Sequence, residues 1–482
     1  MSKFHSIVSR RDFMKGLGLV GAGLGGAAMV TPVFGDLDEL TNSSNTKAIM
    51  PWWVKDQDNP TTEIDWNILD HRKPVSLPPF PQGHIGVGPL KGYLAPNERH
   101  KQGIMQNISG CTLKDRAITE AVAVTRGAVF GLRSIDGLAV YTNVDWGVPR
   151  HEGTPEENLE MVRAAGHFFG APYIGASVID DKMLRLTSSR VKFEDVDVPS
   201  TDAQKNVIVP KKCKYAITYE IVQSHAMDRH GVKVYQSGPY QGYIPYLALS
   251  GCFRGYLDEG IVEHQLQAFI KSLGYIAIPS RSLGFSPPPW GVMAGLGELG
   301  RAGIICSPQY GNEVRVTCSM ITDMPVAPSK PINAGITKFC ETCKFCADNC
   351  PSGSISKETE PSWEVNINET GFDKVGNPIP PSPMNQSGIK AWKTDWDKCT
   401  NLQGGPRECQ ACQPACPFSN MNQSVIHPIV RATAATTPLF NTFFANMQEL
   451  FVNDNSDPSD WWKRDLSSYK FDPLSGGVQA NG

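Results

Sequence analysis

The sequence lacks an excess of charge of either sign. Its 482 residues carry 45 Lys and Arg against 48 Asp and Glu, which gives a formal net charge of -3 at pH 7. A protein that binds nucleic acid through the phosphates presents a basic face, and this balance provides none. We therefore expect no nucleic-acid partner, and the ordinary hydrophobic fraction of 40% indicates a globular protein.

Long apolar runs are missing beyond the first 35 residues. Near the start, Arg10-Arg11 in the basic segment 9–15 precedes an uncharged run from Gly16 to Gly35, which resembles a twin-arginine export signal. About 20 apolar residues also suffice to span a bilayer as an uncleaved helix, but the many glycines lower the apolar character and favour cleavage. We predict a signal peptide at residues 1–35 and a mature protein that lies peripherally on the outer face of the cytoplasmic membrane.

Sustained periodicity is absent from residues 36–100, which we interpret as an irregular wrapping segment. Beyond it the patterns alternate between helices, expected at 117–132, 155–169 and 258–273, and strands, expected at 215–222 and 275–278. Such alternation favours an α/β core. The predicted units are a signal peptide (1–35), a wrapping unit with part of the core (36–210), the core (211–330), a cysteine-rich domain (331–424) and a C-terminal extension that packs back on the core (425–482).

Cysteine is abundant, with thirteen in the chain. In an exported protein this number normally suggests disulfides, but the twin-arginine route moves folded proteins that already hold their cofactors. The spacing Cys340-x2-Cys343-x2-Cys346-x3-Cys350-Pro351 matches the bacterial ferredoxin run. In two-cluster ferredoxins the first three cysteines bind one [4Fe–4S] cluster and the fourth binds the other.

A second motif, Cys409-x2-Cys412-x3-Cys416-Pro417, lacks a nearby leading cysteine, and Cys399 can replace it. Two structural zinc sites would also use four thiolates each, but zinc modules do not need this spacing with its following proline. The motifs therefore predict two clusters, one bound by Cys340, Cys343, Cys346 and Cys416, the other by Cys350, Cys399, Cys409 and Cys412.

Other candidate residues lie outside the cluster motifs. Two clusters form an electron path that needs a terminal acceptor, and Gly295-x-Gly297-x-x-Gly300 matches the dinucleotide fingerprint. That match is weak because no buried strand precedes it. The remaining cysteines have no metal-binding spacing and are interpreted as small buried residues: Cys111, Cys213, Cys252, Cys306 and Cys318.

Several distinctive sequence blocks follow one another along the chain: the twin-arginine leader, Pro51-Trp52-Trp53-Val54, residues 269–275, residues 294–301, Thr322-Asp323-Met324-Pro325, Lys330-Pro331-Ile332 and both cysteine motifs. In this order they resemble the corrinoid reductive dehalogenases of organohalide-respiring bacteria. The resemblance implies an α/β (α+β) nitroreductase-like core that binds a corrinoid (cobalamin), beside a bacterial two-[4Fe–4S] ferredoxin domain. The terminal acceptor would then be cobalt.

The resemblance also implies that the lower base of the corrinoid is detached and that no protein histidine replaces it. Another class of cobamide enzyme binds cobalt through histidine in an Asp-x-His-x-x-Gly motif. Here Asp228 and His230 are followed by Gly231, and Lys233 stands where that motif has glycine. We therefore interpret His230 as a surface or core histidine.

By the same resemblance, a tyrosine donates the proton, a basic residue lies beside it and a polar residue completes the site. Alignment of the blocks assigns the tyrosine to Tyr256, just before the helix expected at 258–273, and the basic residue to Arg315. The third position is Ser282, where the family often has Asn, or the adjacent Arg281. A phenol is a weak acid alone, but a permanent guanidinium charge favours its anion. Two nearby tyrosines are rivals: Tyr243 and Tyr246.

The function implied is reductive dehalogenation as the terminal step of organohalide respiration. Electrons would pass through the two clusters to a base-off corrinoid, and Tyr256 would protonate the carbon that loses halide. The implied partners are a small organohalide substrate, a small hydrophobic membrane-anchor subunit and a respiratory electron donor. The alternatives are a corrinoid enzyme like epoxyqueuosine reductase and an exported Fe–S electron-transfer subunit.

Overall fold

The structure is a computed structural model. It describes residues 50–69, 98–204, 206–232, 246–280, 287–316, 319–365, 385–400, 409–420, 426–452 and 457–463. The expected export signal lies outside the described residues, as do Tyr243, Arg281, Ser282 and Cys318. Within the described part of the chain, no helix combines the length and apolar character needed to cross a membrane.

Twelve α-helices occur in the described residues. They are α1 (Glu98–Met105), α2 (Leu113–Gly131), α3 (Pro155–Phe169), α4 (Asp181–Arg185), α5 (His225–Asp228), α6 (Tyr246–Ser272), α7 (Pro287–Met293), α8 (Ile336–Thr342), α9 (Phe345–Asp348), α10 (Trp396–Thr400), α11 (Ile426–Thr436) and α12 (Asn441–Val452). Short 3-10 turns follow α5 at Arg229–Gly231 and the second cysteine motif at Pro417–Asn420.

The strands of the described residues are short, except in the core. They are β1 (Lys55–Asp56), β2 (Tyr173–Val178), β3 (Val191–Glu194), β4 (Ser200–Thr201), β5 (Val207–Pro210), β6 (Tyr215–Val222), β7 (Ala277–Pro279), β8 (Glu298–Leu299), β9 (Ile305–Cys306), β10 (Val314–Arg315), β11 (Ser319–Thr322) and β12 (Ile332–Asn333).

A five-stranded antiparallel sheet forms the centre of the molecule. Strand β6 pairs with β2 on one side and with β10 and β11 on the other, and β7 follows β11. Alternate residues face opposite sides, so Ile217 and Ile221 join one apolar cluster with α3 and α6, while Ala216 joins a second cluster with Trp290. The mixed core is thus confirmed, with antiparallel pairing; its nitroreductase-like description stays a prediction.

Helix α3 follows its sequence signals closely. Thr154 and Glu157 form a reciprocal capping box, with the Glu157 backbone N–H donating to Thr154 Oγ1 at 3.2 Å. Gly170 ends the helix in the left-handed region at φ 114°. The helix expected at 155–169 is therefore confirmed to the residue, because both ends are encoded locally.

Helix α6 corrects the sequence-based boundary. A helix was expected to begin at residue 258, but α6 begins at Tyr246, and Tyr256 therefore lies inside it rather than before it. Its first half is buried on nearly every side by α2, α5 and the sheet. A helix buried all round lacks an amphipathic stripe, so the periodicity used for prediction appears only in its second half.

The glycine-rich segment 295–300 does not form a dinucleotide fold. It follows helix α7 rather than a strand, and it leads into the β8–β9 hairpin rather than a helix. A Cβ atom on Gly295 would lie 2.3 Å from the Lys330 carbonyl oxygen, and one on Gly297 would lie 2.4 Å from the Cys306 carbonyl oxygen. The absence of a side chain at Gly295 and Gly297 therefore allows this backbone to lie close to the backbone of Lys330 and Cys306.

Two buried charged residues, one within this segment and one directly after it, attach the cysteine-rich domain to the core. Glu298 accepts hydrogen bonds from the backbone N–H groups of Ala334 and Ile336, at 2.6 and 3.1 Å. Arg301 donates to the carbonyl oxygens of Cys340 and Cys343, the latter at 3.0 Å. The position of the first cysteine motif is thus fixed from the core.

The C-terminal helices pack against the cysteine-rich domain. Phe444 of α12 lies in one apolar cluster with Phe339 and Phe418, and the last two rings meet edge to face at a centroid distance of 5.4 Å. Further along, Trp462 Nε1 donates to Asp115 Oδ1 at 2.7 Å at the start of α2. The C-terminal part therefore contacts both the cysteine-rich domain and the core.

Candidate functional site

A small cavity lies between the core and the cysteine-rich domain. Its walls include Arg301, Phe339 and Phe418, together with the four cysteines predicted to bind cluster one: Cys340, Cys343, Cys346 and Cys416. Burial raises the pKa of Cys343 to about 12, so a thiolate there needs a compensating positive charge. Iron supplies that charge, and the cavity therefore suits a cubane cluster.

The four cysteines predicted for cluster two also lie close to one another. Burial raises the pKa of Cys409 to about 12, and the neighbouring thiolates of Cys399 and Cys350 add to the shift. Burial likewise raises the pKa of Cys412, with further contributions from the other three. The thiolate charge of Cys412 also contributes to the raised pKa of Cys346, a member of the first group. The two groups of cysteines are therefore adjacent, as an electron path requires.

A fifth cysteine lines the cavity of cluster one. Cys306, in strand β9, lies with its Sγ atom 3.9 Å from Cys416 Sγ. The contact with Cys306 lowers the pKa of Cys416, while burial and the same contact raise the pKa of Cys306. No sequence pattern marks this position, because Cys306 belongs to neither motif and reaches the cavity through the β8–β9 hairpin.

Tyr256 and Arg315, assigned together from the resemblance, are in contact. The Cζ atom of Arg315 lies 4.3 Å from the centroid of the Tyr256 ring, within the range of a cation–π interaction. Tyr256 is half-buried on α6, and Arg315 is buried on β10. The fold thus brings a phenol and a permanent cation to one place from different elements.

Arg315 is held by polar groups from several elements. Its Nη2 atom donates to Gln223 Oε1 at 2.8 Å and to Cys252 Sγ at 2.7 Å. Burial alone would lower the pKa of Arg315, but Cys252, Tyr256 and Asp228 hold that pKa above its ordinary value. The guanidinium is therefore a fixed positive charge in a buried setting.

The same guanidinium reaches the segment of the second cysteine motif. Gln410, between Cys409 and Cys412, places Oε1 3.4 Å from Arg315 Nη2. A Cβ atom on Gly231 would lie 3.7 Å from the backbone of residues 410 and 411. The segment between two predicted cluster-two ligands, Cys409 and Cys412, is therefore in direct contact with Arg315 through Gln410.

Sequence reasoning missed a second cation beside Tyr256. Arg126, from α2, places Cζ 5.4 Å from the centroid of the Tyr256 ring and 4.7 Å from that of Phe253. Neither Arg126 nor Gln223 belongs to a motif, and no spacing links them to Tyr256. Their proximity results from the packing of α2 and β6 against α6.

Buried polar atoms without partners lie at the end of α5, in the 3-10 turn that follows it and just before β10. Both carboxyl oxygens of Asp228, Nε2 of His230 and Oε1 of Glu313 have no hydrogen-bond partner among the described residues. Burial lowers the pKa of His230 to about 3, so its ring is neutral. Buried polar atoms normally have partners, and the amide side chains around a corrinoid ring both donate and accept hydrogen bonds. These residues therefore fit the corrinoid that the resemblance implies, and His230 is confirmed as a buried histidine.

Comparison with known proteins identifies the family. The model of the 4Fe-4S dicluster domain matches residues 339–420. This match assigns both cysteine motifs to iron–sulfur clusters and excludes the alternative of two zinc sites.

Two curated relatives extend the similarity across the core. A chloroethene reductive dehalogenase from Dehalococcoides mccartyi strain VS is 30% identical, over 98% of this chain and 100% of its own. A tetrachloroethene reductive dehalogenase from Sulfurospirillum multivorans is 32% identical over 48% of this chain and 40% of its own. The first of these matches covers the core, both cysteine motifs and the C-terminal helices.

Solved structures agree at the level of the fold. The catabolic reductive dehalogenase NpRdhA, solved in complex with 3-bromo-4-hydroxybenzoic acid, has a TM-score of 0.54 at 17% identity. The similarity covers 82% of this chain and 48% of that one, so the chain spans about half the length of NpRdhA. Together with the match over the full length of the chloroethene enzyme, this shows that the chain belongs to the reductive dehalogenases, oxidoreductases that act on carbon–halogen bonds through a corrinoid and two [4Fe–4S] clusters.

Proposed function

We propose that this reductive dehalogenase is the terminal reductase of organohalide respiration and that Tyr256 is its proton donor. The overall reaction consumes an organohalide, two electrons and one proton, and it releases halide and the reduced organic product. When bound, the corrinoid and the two clusters supply the electrons that cleave the carbon–halogen bond. What the polypeptide itself must supply is a dry pocket, a proton and a fixed charge.

The observation that carries the assignment is the contact between Arg315 and Tyr256. A phenol that gives up its proton becomes an anion, and the Arg315 guanidinium lies 4.3 Å from the centroid of this ring. Arg315 cannot itself lose a proton at working pH, so its charge is constant through turnover. Ser282, or the adjacent Arg281, is proposed to complete the site by resemblance alone.

The proposed electron path ends beside this pair. Cys340, Cys343, Cys346 and Cys416 are proposed as the ligands of cluster one, and Cys350, Cys399, Cys409 and Cys412 as those of cluster two. Gln410 within the second motif lies next to Arg315. The cluster closer to the reaction is therefore cluster two, and cluster one takes electrons from the respiratory donor.

The two alternatives from the sequence are less well supported. An Fe–S electron-transfer subunit leaves the core without a role, although the similarity to the chloroethene enzyme runs through it. An enzyme like epoxyqueuosine reductase would act on tRNA, and the chain has no net basic charge. Cobalt and corrinoid content, measured beside iron and sulfide, distinguishes the dehalogenase from the electron-transfer subunit, which would hold iron and sulfide alone. Halide release from an organohalide distinguishes the dehalogenase from an enzyme like epoxyqueuosine reductase.

The test of the proton donor is Tyr256→Phe. The substitution removes one hydroxyl and preserves the ring, so we expect both clusters and the corrinoid to bind while halide release falls by at least about a hundredfold. Cofactor content is measured by iron analysis and visible absorbance, and turnover by halide release. Near-normal turnover would show that another residue supplies the proton.

Two further variants make the result specific. Tyr275→Phe is the matched control, since it removes a buried-ring hydroxyl that donates to the His151 carbonyl oxygen at 2.6 Å, away from Arg315. Tyr246→Phe tests a rival tyrosine on the same helix. We expect both to keep turnover within about twofold, and loss of turnover in Tyr246→Phe alone would transfer the role to that residue.

We propose small chlorinated alkenes as the substrate class. The support is the similarity to enzymes named for chloroethene, trichloroethene and tetrachloroethene. The measurement is chloride release from trichloroethene compared with that from a chlorinated phenol under the same reductant. Faster release from the phenol would contradict the assignment.

We also propose export by the twin-arginine route, followed by peripheral attachment to a small hydrophobic anchor subunit. The support is the Arg10-Arg11 leader together with the lack of a second long apolar run in the sequence. The mature chain expressed without the anchor should be recovered in the soluble fraction. Retention on membranes in that experiment would show that the chain binds them by itself.

A further inference from the structure

Cys306 is fixed at the wall of the cluster-one cavity. Strand β9 pairs with β8, where Glu298 lies opposite Cys306. The backbone of Gly297 approaches the Cys306 carbonyl so closely that a Cβ atom would be 2.4 Å from its oxygen. Only 1% of Cys306 is exposed. Its side chain therefore has little freedom to leave the cavity.

The distance between the two sulfur atoms defines what Cys306 can do. At 3.9 Å, Cys306 Sγ is within hydrogen-bonding range of Cys416 Sγ and much too far for a disulfide, whose sulfurs are about 2.05 Å apart. A cubane has four irons, and the four motif cysteines provide one ligand for each. Cys306 is then left as a neutral thiol next to a ligand thiolate.

The direction of the hydrogen bond follows from these roles. Cys416, which precedes Pro417 in the second motif, binds iron as a thiolate and has no proton to donate. The four motif cysteines leave no iron for Cys306 to bind, so Cys306 retains its S–H group. The S–H group of Cys306 is therefore the donor, and the sulfur of Cys416 is the acceptor.

We propose that Cys306 raises the reduction potential of cluster one by donating this hydrogen bond to Cys416. The inference rests on the ligand set given under the proposed function. A hydrogen bond to a ligand sulfur withdraws electron density, and it stabilises the reduced cluster, which carries one more negative charge, more than the oxidised cluster. Cys306 is thus a positioning residue that acts through Cys416 and touches no substrate.

The test is a redox titration of the reconstituted full chain, followed by electron paramagnetic resonance. Cys306→Ala removes the donor and should shift the potential of cluster one to more negative values, with cluster two unchanged. Cys306→Ser restores an O–H donor and should give an intermediate potential. Iron content should stay at about eight per chain in both variants.

Cys213→Ala is the matched control. Cys213 is also 1% exposed, but it lies in a separate apolar cluster, with Met183 and Trp290. Its removal should leave both cluster potentials unchanged. The control separates a specific hydrogen bond from the general effect of losing a buried thiol.

Each remaining outcome has a defined meaning. An unchanged potential in Cys306→Ala would overturn the inference while leaving the enzyme's function intact. Loss of about four irons in that variant would also overturn it, because Cys306 would then be a ligand. Absence of two clusters from the parent protein would instead refute the ligand set of the proposed function, so the two failures are distinguishable.

Discussion

At the scale of single residues, Arg315 combines three contacts that lysine cannot reproduce together. Its planar guanidinium lies against the Tyr256 ring and donates to Gln223 and Cys252. A lysine ammonium keeps the charge but has a shorter reach and no flat face. We therefore expect Arg315→Lys to weaken the alignment of the site without abolishing its charge.

The expected result for Arg315→Lys is a loss of about tenfold in kcat/KM, corresponding to ~1.4 kcal/mol. Steady-state halide release measures it. Arg254→Lys is the matched control, because Arg254 forms a partly exposed ion pair with Asp258 on α6, and such pairs contribute little. Equal losses in both variants would mean that the effect is not specific to the site.

Tyr256 and Arg315 were assigned by their alignment with the family blocks, and no residue spacing in the sequence points to either. Arg126, Gln223 and Cys306 were missed because each reaches the site from a separate element. Their positions depend on how α2, β6 and β9 pack, which no local pattern encodes. The cluster cysteines are the opposite case, since short gaps between ligands are written directly in the chain.

At the scale of elements, Gly255 allows α6 to approach the residues that hold the site. A Cβ atom at this position would lie 2.8 Å from Gln223 Cγ and 3.4 Å from Arg315 Cγ. Gly255→Ala should therefore displace both side chains and lower kcat by about tenfold, or ~1.4 kcal/mol, even though alanine favours a helix over glycine.

Gly260→Ala provides the comparison within the same helix. Its Cβ atom would lie 2.9 Å from Val129 Cγ1 and 3.0 Å from Phe130 Cε1, against α2. This variant should be less stable by ~1.4 kcal/mol, because the added methyl group crowds α2, and it should keep its kcat. Thermal unfolding measures the change in stability. If Gly255→Ala also keeps kcat, the close approach at Gly255 serves packing alone.

Glu298 takes the place of a helix cap for α8. Gly335 at the N-cap has no side chain to cap the helix, and Glu298 instead accepts from the backbone N–H groups of Ile336 and Thr337, at 3.1 and 3.0 Å. Glu298→Ala leaves these buried donors unpaired and should cost ~3 kcal/mol, whereas Glu298→Gln keeps an acceptor and should cost ~1 kcal/mol. The midpoint of urea-induced loss of cluster absorbance measures both, and equal midpoints would contradict the capping role.

The elements differ in how far the sequence predicts them. Both ends of helix α3 were predicted correctly, because Thr154, Glu157 and Gly170 are capping residues that can be recognised in the sequence. Helix α6 was predicted only in its second half, because burial on all sides removes the apolar stripe from its first half. Strand β7 was expected at 275–278 and lies at Ala277–Pro279, an offset that local propensity does not resolve.

At the scale of the whole molecule, the two cysteine motifs are proposed to exchange one ligand each. Cys416→Ala should therefore remove cluster one, whose other ligands lie in the first motif, and Cys350→Ala should remove cluster two. Each variant should retain about four irons instead of about eight. Resonance spectra identify the cluster lost, and loss of the same cluster in Cys416→Ala and Cys409→Ala would show that each motif binds its own.

The segment from residue 50 to residue 69 has its partners far along the chain. Strand β1 pairs with β12, Thr61 Oγ1 donates to Glu298 Oε2 at 2.8 Å, and Ile64 bridges to Ile389. During synthesis on the ribosome, strand β1 has no strand partner until residues 332–333 have emerged, and Ile64 has no bridge partner until residue 389 has emerged. The described segment nearest to the predicted export signal therefore completes its pairing only after the strands of the central sheet have been synthesised.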